Sequence, residues 1–332
     1  MLFLKHLILV TTLLCFSTLQ ASSVNTGKND LIFAEKNALQ PWFTGPLIAA
    51  SGHTVPAHHI VLEPYIFVTD VLGQYDNNWK SISIPNIIIV DPVVFFKYGI
   101  TDVVEIKIVT DLHSNFRQHS HDTRMGNFQF GFGFQALEDN LNSWRPDFRI
   151  EIKEDFPTGH YQHLNPDKHG TDITGTGLYR TGISLNFQKL FIIDSHLLRV
   201  RWNFDYYASP PVHVEGFNAY GGGYGTSGKV KVGDRFFSVL AFEYTFTQHW
   251  IGALDIVYDM NNRISFSGNS GFTRDGIPAT MGAPARKQFS LAPAIEYAFN
   301  NNLGIIFGPW FSIAGKNSSR FVSGVIALNY YH

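Results

Sequence analysis

From about residue 58 to the C-terminus, apolar and polar side chains alternate with a period of two. The clearest run is 197–206, where Arg199, Arg201, Asn203 and Asp205 oppose Leu198, Val200, Trp202, Phe204 and Tyr206. Successive side chains of an extended chain point to opposite faces, so this run predicts a strand with one wet and one aromatic face. Segment 127–135 sets Phe128, Phe130, Phe132 and Phe134 against Gln129, Gly131, Gly133 and Gln135. Segment 147–155 sets Phe148, Ile150 and Ile152 against Asp147, Arg149, Glu151, Lys153 and Asp155. Runs at 103–111, 178–188, 236–246, 254–259 and 288–299 repeat the theme. Runs near 58–70, 83–97, 303–314 and 320–331 are less regular. There Pro85, Pro92 and Pro309, which cannot donate to a ladder, mark bulges or strand ends. Together these runs predict about twelve strands, an even number.

The connections alternate in length. Short ones fall near Gly99–Thr101, Glu138–Asn142, Gln248–His249 and Asn300–Asn302, and long ones near 157–175, 208–228 and 261–285. Short turns on one rim and long loops on the other suit a transmembrane barrel with aromatic apolar faces toward lipid. Strands that cross hydrocarbon must close on themselves, because an open edge would leave backbone groups unpaired. A soluble sandwich or lipocalin-like barrel is the alternative. It explains the alternation, but not aromatic faces opposite so many charged side chains. The expected fold class is all-β, a transmembrane antiparallel β-barrel of about 12 strands.

Composition narrows this further. Aromatics make up 15% of the 332 residues and charged residues 16%, below the roughly 25% usual for soluble domains. A mean hydropathy of -0.03 excludes a bundle of membrane helices, and a net charge of -2 gives no push toward nucleic acid. Residues 1–21 carry Lys5, an apolar stretch from Leu7 to Phe16, and small residues from Ala21 onward. This is the layout of a removable signal peptide, with a retained anchor as the alternative. The single cysteine, Cys15, lies inside it, so no thiol chemistry is expected after cleavage. Residues 22–57 lack alternation and are broken by Pro41, Gly45, Gly52 and Pro56. They are expected to plug the lumen or to hang in the periplasm, with 58–332 as the barrel.

The lumen face is predicted to carry Glu63, Glu105, Lys107, Arg149, Glu151, Lys153, Arg180, Arg199, Arg201, Arg235, Asp255, Asp259 and Glu296. Acid and base are intermixed, which suits a paired network narrowing the passage better than a one-sign selectivity ring. His119, His121, His160, His163 and His169 fall in predicted loops near Asp111, Asp122 and Asp167. Their spacing fits no defined metal site, and they are read as exposed loop histidines. Gly221–Gly225 opens no helix and is read as a flexible loop. The candidate catalytic cluster, His169 with Asp167 and Asp172, lacks a nucleophile elbow, so no enzyme activity and no cofactor are expected.

The segments Trp42-Phe43-Thr44-Gly45-Pro46, Thr54-Val55-Pro56, Leu62-Glu63-Pro64-Tyr65 and Tyr98-Gly99-Ile100-Thr101-Asp102, the last followed by Glu105, carry a resemblance. From about residue 41 onward the chain resembles the bacterial outer-membrane family described by a MetA-pathway of phenol degradation, often labelled transporter. The resemblance implies a membrane barrel with a part in uptake of aromatic or other apolar compounds. The expected function is therefore an outer-membrane channel or transporter for small solutes, apolar or aromatic among them. Its partners would be outer-membrane lipid and the solute. The alternative is a surface-exposed binding or adhesion barrel with a closed lumen.

Overall fold

The computed structural model describes residues 43–332. The signal-peptide segment and residues 22–42 lie outside the described residues. Sixteen strands follow in order: β1 (Ile60–Tyr75), β2 (Ser81–Thr101), β3 (Val104–Arg117), β4 (Ser120–Met125), β5 (Phe128–Leu137), β6 (Asp147–Phe156), β7 (Arg180–Ile193), β8 (His196–Ala208), β9 (Val212–Glu215), β10 (Ser227–Lys231), β11 (Arg235–Thr245), β12 (Trp250–Asn261), β13 (Ser265–Asn269), β14 (Arg286–Ala298), β15 (Leu303–Lys316) and β16 (Ser318–Tyr331). Twelve of them pair antiparallel in a ring, β1-β2-β3-β5-β6-β7-β8-β11-β12-β14-β15-β16, which the β1–β16 pairing closes. The ring is the architecture of a transmembrane barrel, and closure leaves no open edge for lipid to meet.

The other four strands belong to the long-loop rim. β4 folds back on the outer end of β3, while β9, β10 and β13 make a separate three-stranded sheet. Sequence pattern had shown these stretches only as long loops, because short strands interrupted by Gly and Asn give no sustained period. Gly221–Gly225, expected as a flexible loop, is tied to its neighbours by hydrogen bonds. Gly222 N–H bonds Thr280 O, and Gly223 N–H bonds Thr226 Oγ1.

Outward-facing residues are apolar and exposed, among them Ile66, Phe132, Phe134, Trp202 and Ile256. The inner face has two sectors. From β3 to β8 it is charged and polar. From β12 to β16 it is built of small or apolar residues, including Ala253, Ala292, Ala294, Ile306, Val325 and Ala327. These two sectors place everything that follows.

Candidate functional site

Residues 43–57 run inside the barrel near the short-turn rim, and their backbone is bound by wall side chains. Thr44 and Gly45 N–H donate to Glu296 Oε2 at 2.8 and 3.1 Å. Ile48 and Ala49 N–H donate to Asp255 Oδ2 and Oδ1 at 3.3 and 3.0 Å. Further on, Thr54 N–H meets Gln135 Oε1 at 2.7 Å, and Val55 N–H meets Glu105 Oε2 at 2.6 Å. The carbonyls are served as well: Arg201 donates to Ala49 O, Asn203 to Ala50 O, and Gln135 to Gly52 O. The segment thus passes in turn along β14, β12, β8, β5 and β3. Apart from a parallel bridge of Ala57 with Gly99 at its end, side chains of the wall take the place of a ladder. Leu47 is buried in a cluster with Ala253, Ala292, Ala294, Ile306, Val325 and Ala327, against which Ile48, Tyr65, Phe67 and Trp310 also pack. Two wall glycines make room for the segment. A Cβ on Gly304 would collide with Thr44, and one on Gly99 with Pro56.

Charge on the opposite sector is arranged in rows across the strands. Glu105, Gly133, Glu151, Ser184 and Asp205 are successive cross-strand partners on β3, β5, β6, β7 and β8. The adjacent row reads Lys97, Lys107, Gly131, Lys153, Gly182, Tyr207 and Arg235. An acidic row beside a basic one pairs diagonally: Lys107 with Glu151, and Lys153 with Asp205 at 2.9 Å. Arg149, 1% exposed, bridges Glu105 and Glu151. The glycines give these long side chains their space, since a Cβ on Gly133 would sit 2.8 Å from Glu105 Cγ.

Between segment and wall lies a cavity of about 550 Å³, within the range typical of small-molecule sites. One side is aromatic. Tyr65 stacks on Phe67 at 5.7 Å and meets Phe95 edge-on at 5.3 Å, and Phe67 meets Trp310 edge-on at 6.2 Å. The other side carries the charged rows. Of the residues expected at the lumen, Glu63, Glu105, Lys107, Arg149, Glu151, Lys153, Arg199, Arg201 and Arg235 border this cavity. Asp255 and Glu296 do not; they sit behind the inserted segment on its N–H groups. Arg180 pairs with Asp155 and Asp259 with Arg235, at 2.5 and 2.9 Å, nearer the long-loop rim. Sequence reasoning missed Tyr65, Phe67, Phe95 and Trp310. Their strands are apolar on both faces, so alternation gave no sign of an inner side.

The loop candidates take structural partners. Asp167 pairs with Arg274, Asp172 accepts from Asn165 N–H, and the His169 carbonyl accepts from Arg117. His160 bonds Asp172 O at 2.9 Å, His121 stacks on Phe116, and His163 approaches Glu215. No cluster of three metal-ligating side chains occurs among the described residues.

No family model and no curated protein matches the sequence. Solved structures do. An outer membrane channel from Pseudomonas putida F1 superposes with a TM-score of 0.65 at 10% identity, covering 86% of this chain and 100% of that one. The NanC porin, with a TM-score of 0.41 at 8% identity, covers 81% and 98%. The CymD monoaromatic hydrocarbon channel, with a TM-score of 0.38 at 10% identity, covers 94% of each chain. At such identities the first likeness is one of fold.

Proposed function

We propose that this chain is a channel of the bacterial outer membrane that passes small solutes, apolar or aromatic among them. In this reading the short-turn rim faces the periplasm and the long loops face outward. The observation that carries it is the cavity of about 550 Å³ inside a closed ring, bounded by an aromatic panel and the inserted segment. Twelve strands enclose more space than side chains alone fill, yet less than an open porin lumen. The inserted segment reduces it further, so the passage suits single small molecules. The fold shared with the Pseudomonas putida F1 outer membrane channel agrees with this role.

The test is conductance of the purified protein in a planar bilayer, compared with a variant lacking residues 43–57. Small steps that grow on deletion are expected. A second reading, a surface-binding barrel, draws on the interlocked long loops. Arg274 pairs with Asp167 at 2.7 Å, Lys168 with Asp122 at 2.7 Å, and Tyr220 Oη donates to Thr176 O. A bilayer that stays silent with both proteins would overturn the channel and favour that reading.

A further inference from the structure

We infer that the lumen cavity is a binding site for an anionic amphipath, a small arene or short hydrocarbon bearing a carboxylate. The inference rests on the channel reading and names its solute class. Its first support is the division of the cavity into unlike sides. Tyr65, Phe67, Phe95 and Trp310 offer contiguous ring faces and edges, a surface that favours flat apolar bodies.

The second support is the sign of the charge facing them. Seven lysines and arginines border the cavity, against four aspartates and glutamates. The missing counter-charges exist but lie elsewhere. Glu243, 0% exposed, answers Arg201 from the wall at 3.0 Å, and Asp259 answers Arg235 near the long-loop rim. Glu105, which does border the cavity, is engaged by both Arg149 and the Val55 N–H. Six of the seven bases thus have a carboxylate within 3.0 Å, and the positive charge left without a close counter-charge is that of Arg199, which favours an anion over a cation at that point of the cavity.

The third support is Arg199. Its guanidinium lies 3.7 Å from the centre of the Phe43 ring, and its nearest carboxylate oxygen, on Glu243, is 3.9 Å away. That is beyond hydrogen-bond reach, and these two contacts are what the guanidinium makes among the described residues. A guanidinium carries a rigid fork of donors matched to a carboxylate. Here the fork is held in place by stacking while its N–H groups remain unused. Arg199 is thus placed to take the carboxylate and the aromatic panel the body of the same solute.

The experiment uses the full protein in phosphatidylcholine nanodiscs and measures equilibrium binding of benzoate, benzyl alcohol, benzylammonium and acetate by calorimetry. Benzoate should bind at least about tenfold tighter than benzyl alcohol, as a charge-assisted pair requires. Benzylammonium should bind more weakly than either, and acetate more weakly than benzoate. Arg199→Gln should reduce benzoate to the affinity of benzyl alcohol and leave benzyl alcohol unchanged. Phe67→Ala should weaken both ring compounds. Benzyl alcohol binding as tightly as benzoate, or a benzoate preference that survives Arg199→Gln, would overturn the inference. So would the absence of any binding by the wild-type protein, a result that needs no variant. Because binding is read without current, a bilayer silent toward a protein that binds benzoate sinks the channel and spares the site; conductance without benzoate preference does the reverse.

Discussion

The inserted segment is held chiefly by two carboxylates, and this makes a quantitative prediction. Glu296 accepts two backbone N–H groups and Asp255 two more, at 2.8 to 3.3 Å. Neither has an ion-pair partner among the described residues, so the segment supplies their hydrogen bonds, all on Oε2 in the case of Glu296. A hydrogen bond to a charged group contributes about 1.5–3 kcal/mol net, a neutral one about 0.5–1.5. With both carboxylates ionised, Glu296→Gln keeps the one oxygen that takes both N–H groups and removes only the charge, a loss of about 1 kcal/mol per donor, whereas Asp255→Asn also turns one of its two accepting oxygens into an amide donor. Glu296→Gln should then raise the unseated population roughly 30-fold, Asp255→Asn by more, and the double variant by the product if the two add. Both grip residues 44–49, so coupling makes that sum an upper bound. Leu47 packing persists in either variant, and the segment should flicker rather than leave. Single-channel recording in a planar bilayer, with the 43–57 deletion as the fully open reference, reads this as brief large-conductance events. A double variant with the wild-type trace, beside a deletion that conducts more, would show that the carboxylates do not hold the segment.

Other substitutions separate the two faces of the wall. Phe132, 52% exposed on the outer face, should not tolerate Arg: Phe132→Arg should lower folding stability by roughly 2–4 kcal/mol, seen as a reduced urea midpoint in micelles. Arg149→Ala leaves Glu105 and Glu151 without the guanidinium that joins them. A loss of about 3–5 kcal/mol is expected in the same assay, and wild-type stability would mean that water already screens the pair. Gly133→Val should distort the row through Glu105, whereas Gly324→Ala, with nothing within 4 Å of the added atom, should change the midpoint by less than about 0.5 kcal/mol. Ala294→Leu should crowd Leu47 and expose the inserted segment to added protease. Adding Leu47→Ala should restore protection, by a coupling of about 0.5–3 kcal/mol in a double-mutant cycle.

How much of this the sequence revealed depended on contrast between the two faces of each strand. On β6 and β8, Arg149, Glu151, Lys153, Arg199 and Arg201 alternate with Phe, Ile, Val and Trp, so membership in a barrel and facing were both legible. On β1 the inner residues are Tyr65 and Phe67 and the outer ones Ile66 and Val68. Period two is present there but carries no polarity signal, and β1 and β2 read as irregular strands. The inserted segment was legible only as a stretch without alternation. Its lack of side-chain pattern is physical, because wall groups bind it through backbone N–H and C=O, which every residue but proline supplies alike. The interlocked long loops were opaque for a similar reason. Their order comes from contacts such as Asn115 Nδ2 to Thr171 O and Ile173 O, which no local spacing announces.

The small-residue sector and the inserted segment explain one another. A ring of twelve strands has an interior that its own side chains need not fill, and β12 to β16 fill it sparingly, with alanine and valine. Left against water, that sector would expose apolar surface with no compensating contact. Leu47, Ile48 and Ala49 cover it instead, packing on Ala253, Ala292, Ala294, Val239 and Val257. The carboxylates that bind the segment backbone stand inside this sector, Asp255 between Ala253 and Val257, Glu296 between Ala294 and Ala298. An isolated carboxylate among buried alanines would be costly without donors. Each therefore requires the segment as much as the segment requires it. The charged sector has no such need, since its rows pair among themselves. That asymmetry sets the position of the cavity: residues 44–49 are fixed to the small-residue side, and the space that remains lies between the aromatic panel and the basic row.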